Sequence, residues 1–116
     1  SSPIVKKSPK WFADTMAAAT KSYAFVDGMD EIVKISQKSY KQVSRCIKEY
    51  LGKTPSQYIN DLRLNYAANL IRSTDLSVTD ICFTCGFNNV GYFYTAFKNR
   101  YSQTPREMRI KANIRI

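Results

Sequence analysis

Residues 47–58 of this chain read IKEYLGKTPSQY, and residues 97–108 read FKNRYSQTPREM. Both stretches place an apolar residue before Lys, then a polar turn, then Thr-Pro, and the second copy follows the first by 50 positions (47 to 97). Upstream, the apolar pairs at 32–33 and 81–82 are separated by 49 positions, so the second copy has one extra residue in its turn. A period of this length indicates one supersecondary unit used twice.

Helix starts are marked along the chain by N-cap residues. In each copy Thr-Pro is followed by Gln57 or Glu107, which makes a capping box with proline at the first helical position. Further N-caps are expected at Ser8 (with Pro9), Ser39, Ser77 and Asn88 or Asn89. Apolar residues recur with helical spacing, and no stretch alternates with period two. The sequence therefore predicts an all-α fold of seven helices, at about 9–22, 29–36, 40–51, 55–73, 78–85, 89–101 and 105–112.

The composition indicates a polyanionic partner. Eighteen Lys and Arg residues against nine Asp and Glu give a net charge of +9 in a chain of 116 residues, which favours nucleic acid or an anionic membrane. No apolar run approaches the roughly 20 residues of a transmembrane helix. Three cysteines, an odd number, argue for a reducing cytoplasm and against a disulfide scaffold. Residues 1–7 are predicted to be a linker remnant and residues 8–116 one compact domain.

Two pairs of predicted helices, the second with the third and the fifth with the sixth, are each joined by about three residues. This is the shape of a helix-turn-helix, whose second helix enters the DNA major groove. The alternative is a pair of ordinary helical hairpins in a small bundle, and the positive charge favours DNA. In the first pair the face opposite the core carries, at helical spacing, Lys41, Ser44, Arg45 and Lys48. In the second pair it carries Gly91, Thr95 and Lys98, a weakly charged set.

Residues 29–109, about 70% of the chain, resemble the DNA-binding domain of AraC/XylS-type bacterial transcriptional regulators. The matching elements are Val43-Ser44-Arg45-x-Ile47-Lys48, Gly52-x-Thr54-Pro55-x-x-Tyr58, Arg63-Leu64-x-x-Ala67-x-x-Leu70-Ile71, Ile81-Cys82-x-x-Cys85-Gly86-Phe87, Tyr92-Phe93-x-x-x-Phe97-Lys98 and Thr104-Pro105. Within this family, Trp11-Phe12-x-x-x-Met16 and residues 52–60 are similar to regulators of chitobiose or related sugar operons.

The resemblance implies two helix-turn-helix units joined by one long helix, which grip adjacent major-groove segments of one asymmetric site. It also implies an effector-binding or dimerisation domain N-terminal to this region, and RNA polymerase as a further partner. A connecting helix over 55–73 would be about 28 Å long, close to the roughly 34 Å of one turn of DNA. The chain departs from the family pattern at Gln37 and Lys38, where a glycine and an apolar residue are usual. It departs again at Thr95, where an arginine is frequent.

Arg45 is the first candidate for reading a base, since a two-pronged guanidinium contact with guanine is the commonest specific contact; the alternative is a phosphate contact. Lys41 and Ser44 are secondary readers, with a solvated face as the alternative for Lys41. Expected base contacts in the second unit are Gly91, Tyr92 and Thr95. Expected phosphate contacts are Lys48, Thr54, Arg63, Asn89, Lys98, Thr104 and Arg106, with an intramolecular salt bridge as the alternative for Arg63 and with free N–H groups expected at the helix starts of Thr54 and Thr104.

Two functions other than DNA binding are compatible with parts of the sequence. A membrane-surface or protein-interaction module would carry its charges on one amphipathic helix. A thiol oxidoreductase would use Cys82-x-x-Cys85, but apolar neighbours surround this pair and favour packing in the core. The chain has no His to complete a zinc site with the two cysteines, and it lacks catalytic constellations of paired carboxylates or Ser and His. We therefore expect no metal, no cofactor and no enzymatic activity.

Overall fold

The computed structural model describes residues 7–114. The predicted linker remnant falls mainly on residues 1–6, outside the described residues. The described residues form seven α-helices: α1 (Lys10–Lys21), α2 (Met29–Ser36), α3 (Tyr40–Cys46), α4 (Pro55–Ser73), α5 (Val78–Thr84), α6 (Val90–Tyr101) and α7 (Pro105–Ile114). A 3₁₀ turn, Ala24–Val26, follows α1, and α3 continues as a π-helical turn, Ile47–Leu51. Residues 7–114 contain no strand, and the prediction of an all-α fold with seven helices is confirmed.

Capping hydrogen bonds start the helices where the sequence predicted them. Complete capping boxes precede α3, α4 and α7, formed by Ser39 with Gln42, Thr54 with Gln57 and Thr104 with Glu107. Ser77 and Asn89 accept the N–H groups of Asp80 and Tyr92, at 3.0 and 2.7 Å. These local bonds satisfy N–H groups that have no partner within the helix.

The first helix begins one residue later than predicted. The carbonyl of Pro9 accepts the N–H groups of Phe12 and Ala13, at 3.0 and 3.2 Å. Pro9 is therefore the N-cap residue, with extended backbone, and Lys10 is the first helical residue. The prediction that Pro9 is the first helical residue was wrong by one position.

Both helix-turn-helix turns bend through a residue with left-handed backbone. In the second turn this residue is Gly86, with φ of 104°, and in the first it is Gln37, with φ of 58°. A side chain in this conformation costs roughly 1–2 kcal/mol. The buried hydroxyl of Ser36 stabilises the first turn, because it donates to the Val33 carbonyl at 2.6 Å and accepts the Lys38 N–H at 3.0 Å. The first turn thus keeps the usual bend without glycine.

The chain divides into two compact units, one ending at Leu62 and the other beginning at Arg63, so the division falls within α4. In the first unit α1 packs against α2. The ring of Phe12, which is fully buried, lies 6.0 Å from that of Tyr50 in the π-helical turn. The ammonium of Lys38 lies 5.5 Å from the centre of the Trp11 ring. Helix α1 is therefore part of the core of the first unit.

The second unit has its own apolar core. Its buried residues come from α4, α5, the turn between α5 and α6, α6 and α7, and they are Leu64, Ala67, Ala68, Ile71, Ile81, Cys82, Cys85, Phe87, Phe93, Phe97 and Met108. Arg109 links α7 to the end of α4, donating from Nε to the Ile71 carbonyl at 3.1 Å and from Nη2 to the Thr74 carbonyl at 3.0 Å. This core fixes which face of α6 points outward.

Candidate nucleic-acid interface

The outward face of α3 carries unpaired positive charge. Val43 and the adjoining Ile47 are fully buried, which turns the opposite face of the helix outward. On that face Lys41, Arg45 and Lys48 are exposed, and Ser44 is half-buried. The side chains of the three cations form no hydrogen bond or salt bridge with any residue among 7–114. The predicted stripe is therefore assembled, and its cations are available to an anionic ligand.

Two other lysines of the first unit are paired with carboxylates. Lys53, at the end of the turn after α3, lies 2.6 Å from the carboxylate of Asp61, and Lys10 lies 2.7 Å from that of Asp14. These ion pairs neutralise charge outside the stripe. The recognition face of α3 keeps its full charge.

The outward face of α6 is chemically different. Phe93 and Phe97 are fully buried. Gly91, Thr95 and Lys98 are exposed on the other side, as predicted from the sequence. These three positions therefore offer one cation, one hydroxyl and one position without a side chain.

Two exposed tyrosines on the recognition helices were missed by the sequence reasoning. Tyr94 is 38% exposed and follows Ser44 by 50 positions, so it belongs to the outward stripe of α6. Its ring lies 5.9 Å from that of Phe93, in an edge-to-face arrangement. Tyr40, the first residue of α3, is 50% exposed. Applying the 50-residue offset to every stripe position would have identified Tyr94.

Tyr92, which was predicted as a base contact, lies beside the outward stripe of α6. It is 53% exposed. Its ring lies 6.3 Å from that of Phe87, just before the start of α6. This contact supports the phenol while leaving it accessible.

The predicted phosphate contacts at helix starts have prior roles in capping. The N–H of Thr54 donates to Gln57 at 2.9 Å, and that of Thr104 donates to Glu107 at 2.8 Å. The N–H groups of Thr54 and Thr104 are therefore used in capping, and a phosphate contact by the other N–H groups of these two helix starts stays a prediction. The Thr104 N–H also lowers the pKa of the Glu107 carboxyl, so this side chain remains negatively charged. Arg106, next to it on α7, is exposed.

Two arginines of the second unit contact neighbouring side chains. The guanidinium of Arg63 lies 5.9 Å from the centre of the Phe87 ring, a cation–π contact. Arg100, near the end of α6, donates to Asn65 Oδ1 at 3.1 Å, and the Tyr101 hydroxyl donates to the same oxygen at 2.8 Å. These hydrogen bonds attach the C-terminal end of α6 to α4.

The cysteine pair lies in the core of the second unit. Cys82 and Cys85 are free thiols with no exposed surface. Burial raises the pKa of Cys82, and it raises that of Cys85 to about 12. Because the thiolate is the reactive form, this environment disfavours redox chemistry and supports the packing interpretation. Among the described residues, no three His, Cys, Asp or Glu side chains cluster as a metal site would require.

Within residues 7–114, no helix combines the length and the apolar character that crossing a bilayer requires.

The chain matches the model of the helix-turn-helix domain family over residues 32–111. It is 40% identical over 80 residues to the transcriptional activator RhaS of Enterobacter sp. (strain 638), covering 69% of this chain and 29% of the relative. It is also 40% identical over 80 residues to the transcriptional regulator ArgR of Pseudomonas aeruginosa, covering 69% of this chain and 24% of that protein. The chain thus spans less than a third of the length of these relatives, whose names are those of regulators and not of enzymes.

Solved structures agree with this family assignment. The crystal structure of an AraC-type regulator from Chromobacterium violaceum has a TM-score of 0.70 and 32% identity, covering 82% of this chain and 89% of that one. The DNA-binding domain of AdpA, solved with a target DNA, has a TM-score of 0.74 at 20% identity, covering 90% of this chain and 94% of that one, and it shows the shared fold. The chain belongs to the AraC-type family of helix-turn-helix DNA-binding domains.

Proposed function

We propose that this chain is the sequence-reading part of a bacterial transcriptional regulator. It binds one asymmetric site in double-stranded DNA, with α3 and α6 as recognition helices in successive major-groove segments. The observation that carries this proposal is the outward face of α3 and of the π-helical turn that continues it, where Lys41, Arg45 and Lys48 are exposed at helical spacing and form no ion pair within residues 7–114. Helix α6 is likewise preceded by a side-chain N-cap, Asn89, and by a turn with a left-handed residue, Gly86, which supports a second unit of the same kind.

In the first unit the roles follow from position along α3. Arg45 lies in the middle of the stripe and reads a guanine edge through two hydrogen bonds. Lys41 and Ser44 precede it and contact neighbouring bases. Lys48 lies at the far end, beyond the part of a recognition helix that reaches base edges, and contacts phosphate.

In the second unit the base contacts are weaker. Tyr92, Tyr94 and Thr95 offer hydroxyl groups that both donate and accept, and Gly91 offers no side chain. Lys98 contacts phosphate, as do Arg106 and Asn89 beside the helix starts. For Arg63 and for the side chains of Thr54 and Thr104, a phosphate contact remains compatible with the intramolecular contacts described above.

We propose the partners of the complete protein from the sequence resemblance, which implies an effector-binding or dimerisation domain N-terminal to this region. The matched relatives are more than three times as long as the matched region, which is compatible with such a further domain. We expect the protein to act in the cytoplasm, where it meets DNA and RNA polymerase. Control of a sugar operon remains a prediction of the sequence resemblance.

The decisive experiment is selection of bound duplexes from a random DNA pool, which gives the length and the asymmetry of the site together. On the selected duplex, Arg45→Ala should weaken binding by about 1–3 kcal/mol and change binding to random duplex little, because it removes base reading. Lys98→Ala should weaken both about equally, as loss of a phosphate contact must. Lys21→Ala, which removes an exposed charge from α1, is the control.

Failure of the wild-type chain to enrich any duplex would refute the proposal. If Arg45→Ala instead weakened binding to all DNA sequences equally, Arg45 would be reassigned to the phosphate contacts. If the chain bound anionic lipid vesicles as tightly as duplex DNA, the result would support the rival membrane-surface function.

A further inference from the structure

The second residue of the recognition helix differs in size and charge between the two units. It is Lys41 in α3 and Gly91 in α6, separated by 50 positions. In a helix-turn-helix the N-terminal residues of the recognition helix are those that meet base edges. The same position of the recognition helix therefore has a long, positively charged side chain in the first unit and no side chain in the second.

Nothing within the described part of the protein requires glycine at 91. Gly91 is not among the described glycines with positive φ, which are Gly28, Gly52 and Gly86. A Cβ placed on it would meet only the Asn89 Oδ1, at 3.4 Å, an ordinary contact distance. Glycine is also among the least favourable residues in a helix. Neither backbone geometry nor internal packing explains it.

The space next to Gly91 opens outward, on the face that carries Thr95 and Lys98. Glycine on a binding face permits a ligand to approach the backbone closely. We infer that the DNA fills this space, so that the backbone of α6 at Gly91 lies in van der Waals contact with the duplex. This inference rests on the proposed function, and it assigns Gly91 a positioning role: it sets how deeply α6 enters the groove.

Close approach and simple electrostatics make opposite predictions for one variant. An added lysine on a DNA-facing surface normally strengthens binding, because it releases further counterions. If the DNA touches the backbone at Gly91, a lysine there must hold the helix away from the groove. Gly91→Lys should then weaken binding despite its charge.

The experiment measures dissociation constants on a duplex selected by the wild-type chain, together with thermal unfolding of each variant. Gly91→Ala should weaken binding about tenfold, because the steric repulsion of a methyl group forced into a close-packed contact lowers the affinity by about that factor. It should leave the melting temperature unchanged or raise it, since alanine is the better helix former. Gly91→Lys should weaken binding further.

Position 99 provides matched controls on the same helix. Asn99 is exposed and lies eight residues, about two helical turns, beyond Gly91, away from the N-terminal residues that meet base edges. Asn99→Ala tests helix propensity without close approach, and it should leave the dissociation constant unchanged. Asn99→Lys tests added charge, and it should strengthen binding slightly or leave it unchanged.

The outcomes separate this inference from the proposed function. Wild-type affinity in Gly91→Ala, or stronger binding in Gly91→Lys, would refute the close approach while leaving DNA binding intact. Absence of a selected duplex for the wild-type chain would refute the proposed function itself. Weaker binding in both Gly91 variants, with a melting temperature that has not fallen, would support close approach.

Discussion

Replacing Arg109 with alanine should destabilise the second unit. Arg109 donates two hydrogen bonds, one to the Ile71 carbonyl in the last turn of α4 and one to the carbonyl of Thr74, the residue that follows the helix. Carbonyls at the end of a helix lack partners within it, and an external donor satisfies them. The pairs are separated in sequence by 38 and 35 residues, so they also connect α7 to α4.

The size of the effect follows from this geometry. A hydrogen bond from a charged group contributes about 1.5–3 kcal/mol. Arg109 is half-buried, so water can partly replace it, and the two bonds together should contribute about 2–3 kcal/mol. Arg109→Lys keeps a positive charge near the helix end, worth about 0.3–1 kcal/mol, but one ammonium group cannot reproduce the guanidinium fork. Its loss of stability should be intermediate.

Urea unfolding followed by far-ultraviolet circular dichroism measures these changes. Arg106→Ala is the matched control, since Arg106 is exposed on the same helix and its side chain forms no hydrogen bond within residues 7–114. The control should change the free energy of unfolding by less than about 0.5 kcal/mol. If Arg109→Ala were no more destabilising than the control, the two hydrogen bonds would not contribute as argued here.

Three further outcomes are expected. The affinity for duplex DNA should fall steeply with salt, with a slope of log K against log salt of about −5 to −7 if roughly 5–8 phosphates are neutralised, and a slope near zero would refute the polyanion argument. In a saturation scan of a selected site, the half that contacts α3 should show the larger penalty per base pair, whereas equal penalties would show that Tyr92 or Tyr94 reads bases as strongly as Arg45. Stability should decline as the pH rises above about 9, because burial raises the pKa values of Cys85 and Tyr58 to about 12 in the folded chain. Above this pH the unfolded chain binds fewer protons than the folded one, which favours unfolding. Urea midpoints that stay constant up to about pH 11 would contradict this prediction.

The helices were predictable because their starts depend on local chemistry. The Thr-Pro capping boxes require only a side chain and an N–H three residues apart, so Thr54 and Thr104 identify their helices from the sequence alone. The contacts of Arg109 join residues more than thirty positions apart, which no local pattern encodes. The π-helical turn at Ile47–Leu51 was not foreseen either, because it interrupts a stretch with ordinary helical periodicity.

The candidate interface was predictable where charge and periodicity coincide. Lys41, Arg45 and Lys48 share one face because Val43 and Ile47 occupy the other, and both facts can be read from residue types. The stripe of α6 was read incompletely. Most residues of this stripe are small or aromatic, and an aromatic residue such as Tyr94 fits a core as readily as a binding face.

The packing of α1 has a consequence for exchanging parts between regulators. The region shared with the family model begins at residue 32, after α1 has ended. Yet Phe12 of α1 is fully buried and adjoins Tyr50, and removing such a side chain typically costs about 3–5 kcal/mol. A chimeric regulator spliced at residue 32 would receive the sequence-reading helices without the helix that completes their core. Splicing ahead of Lys10 transfers a set of residues whose packing is intact.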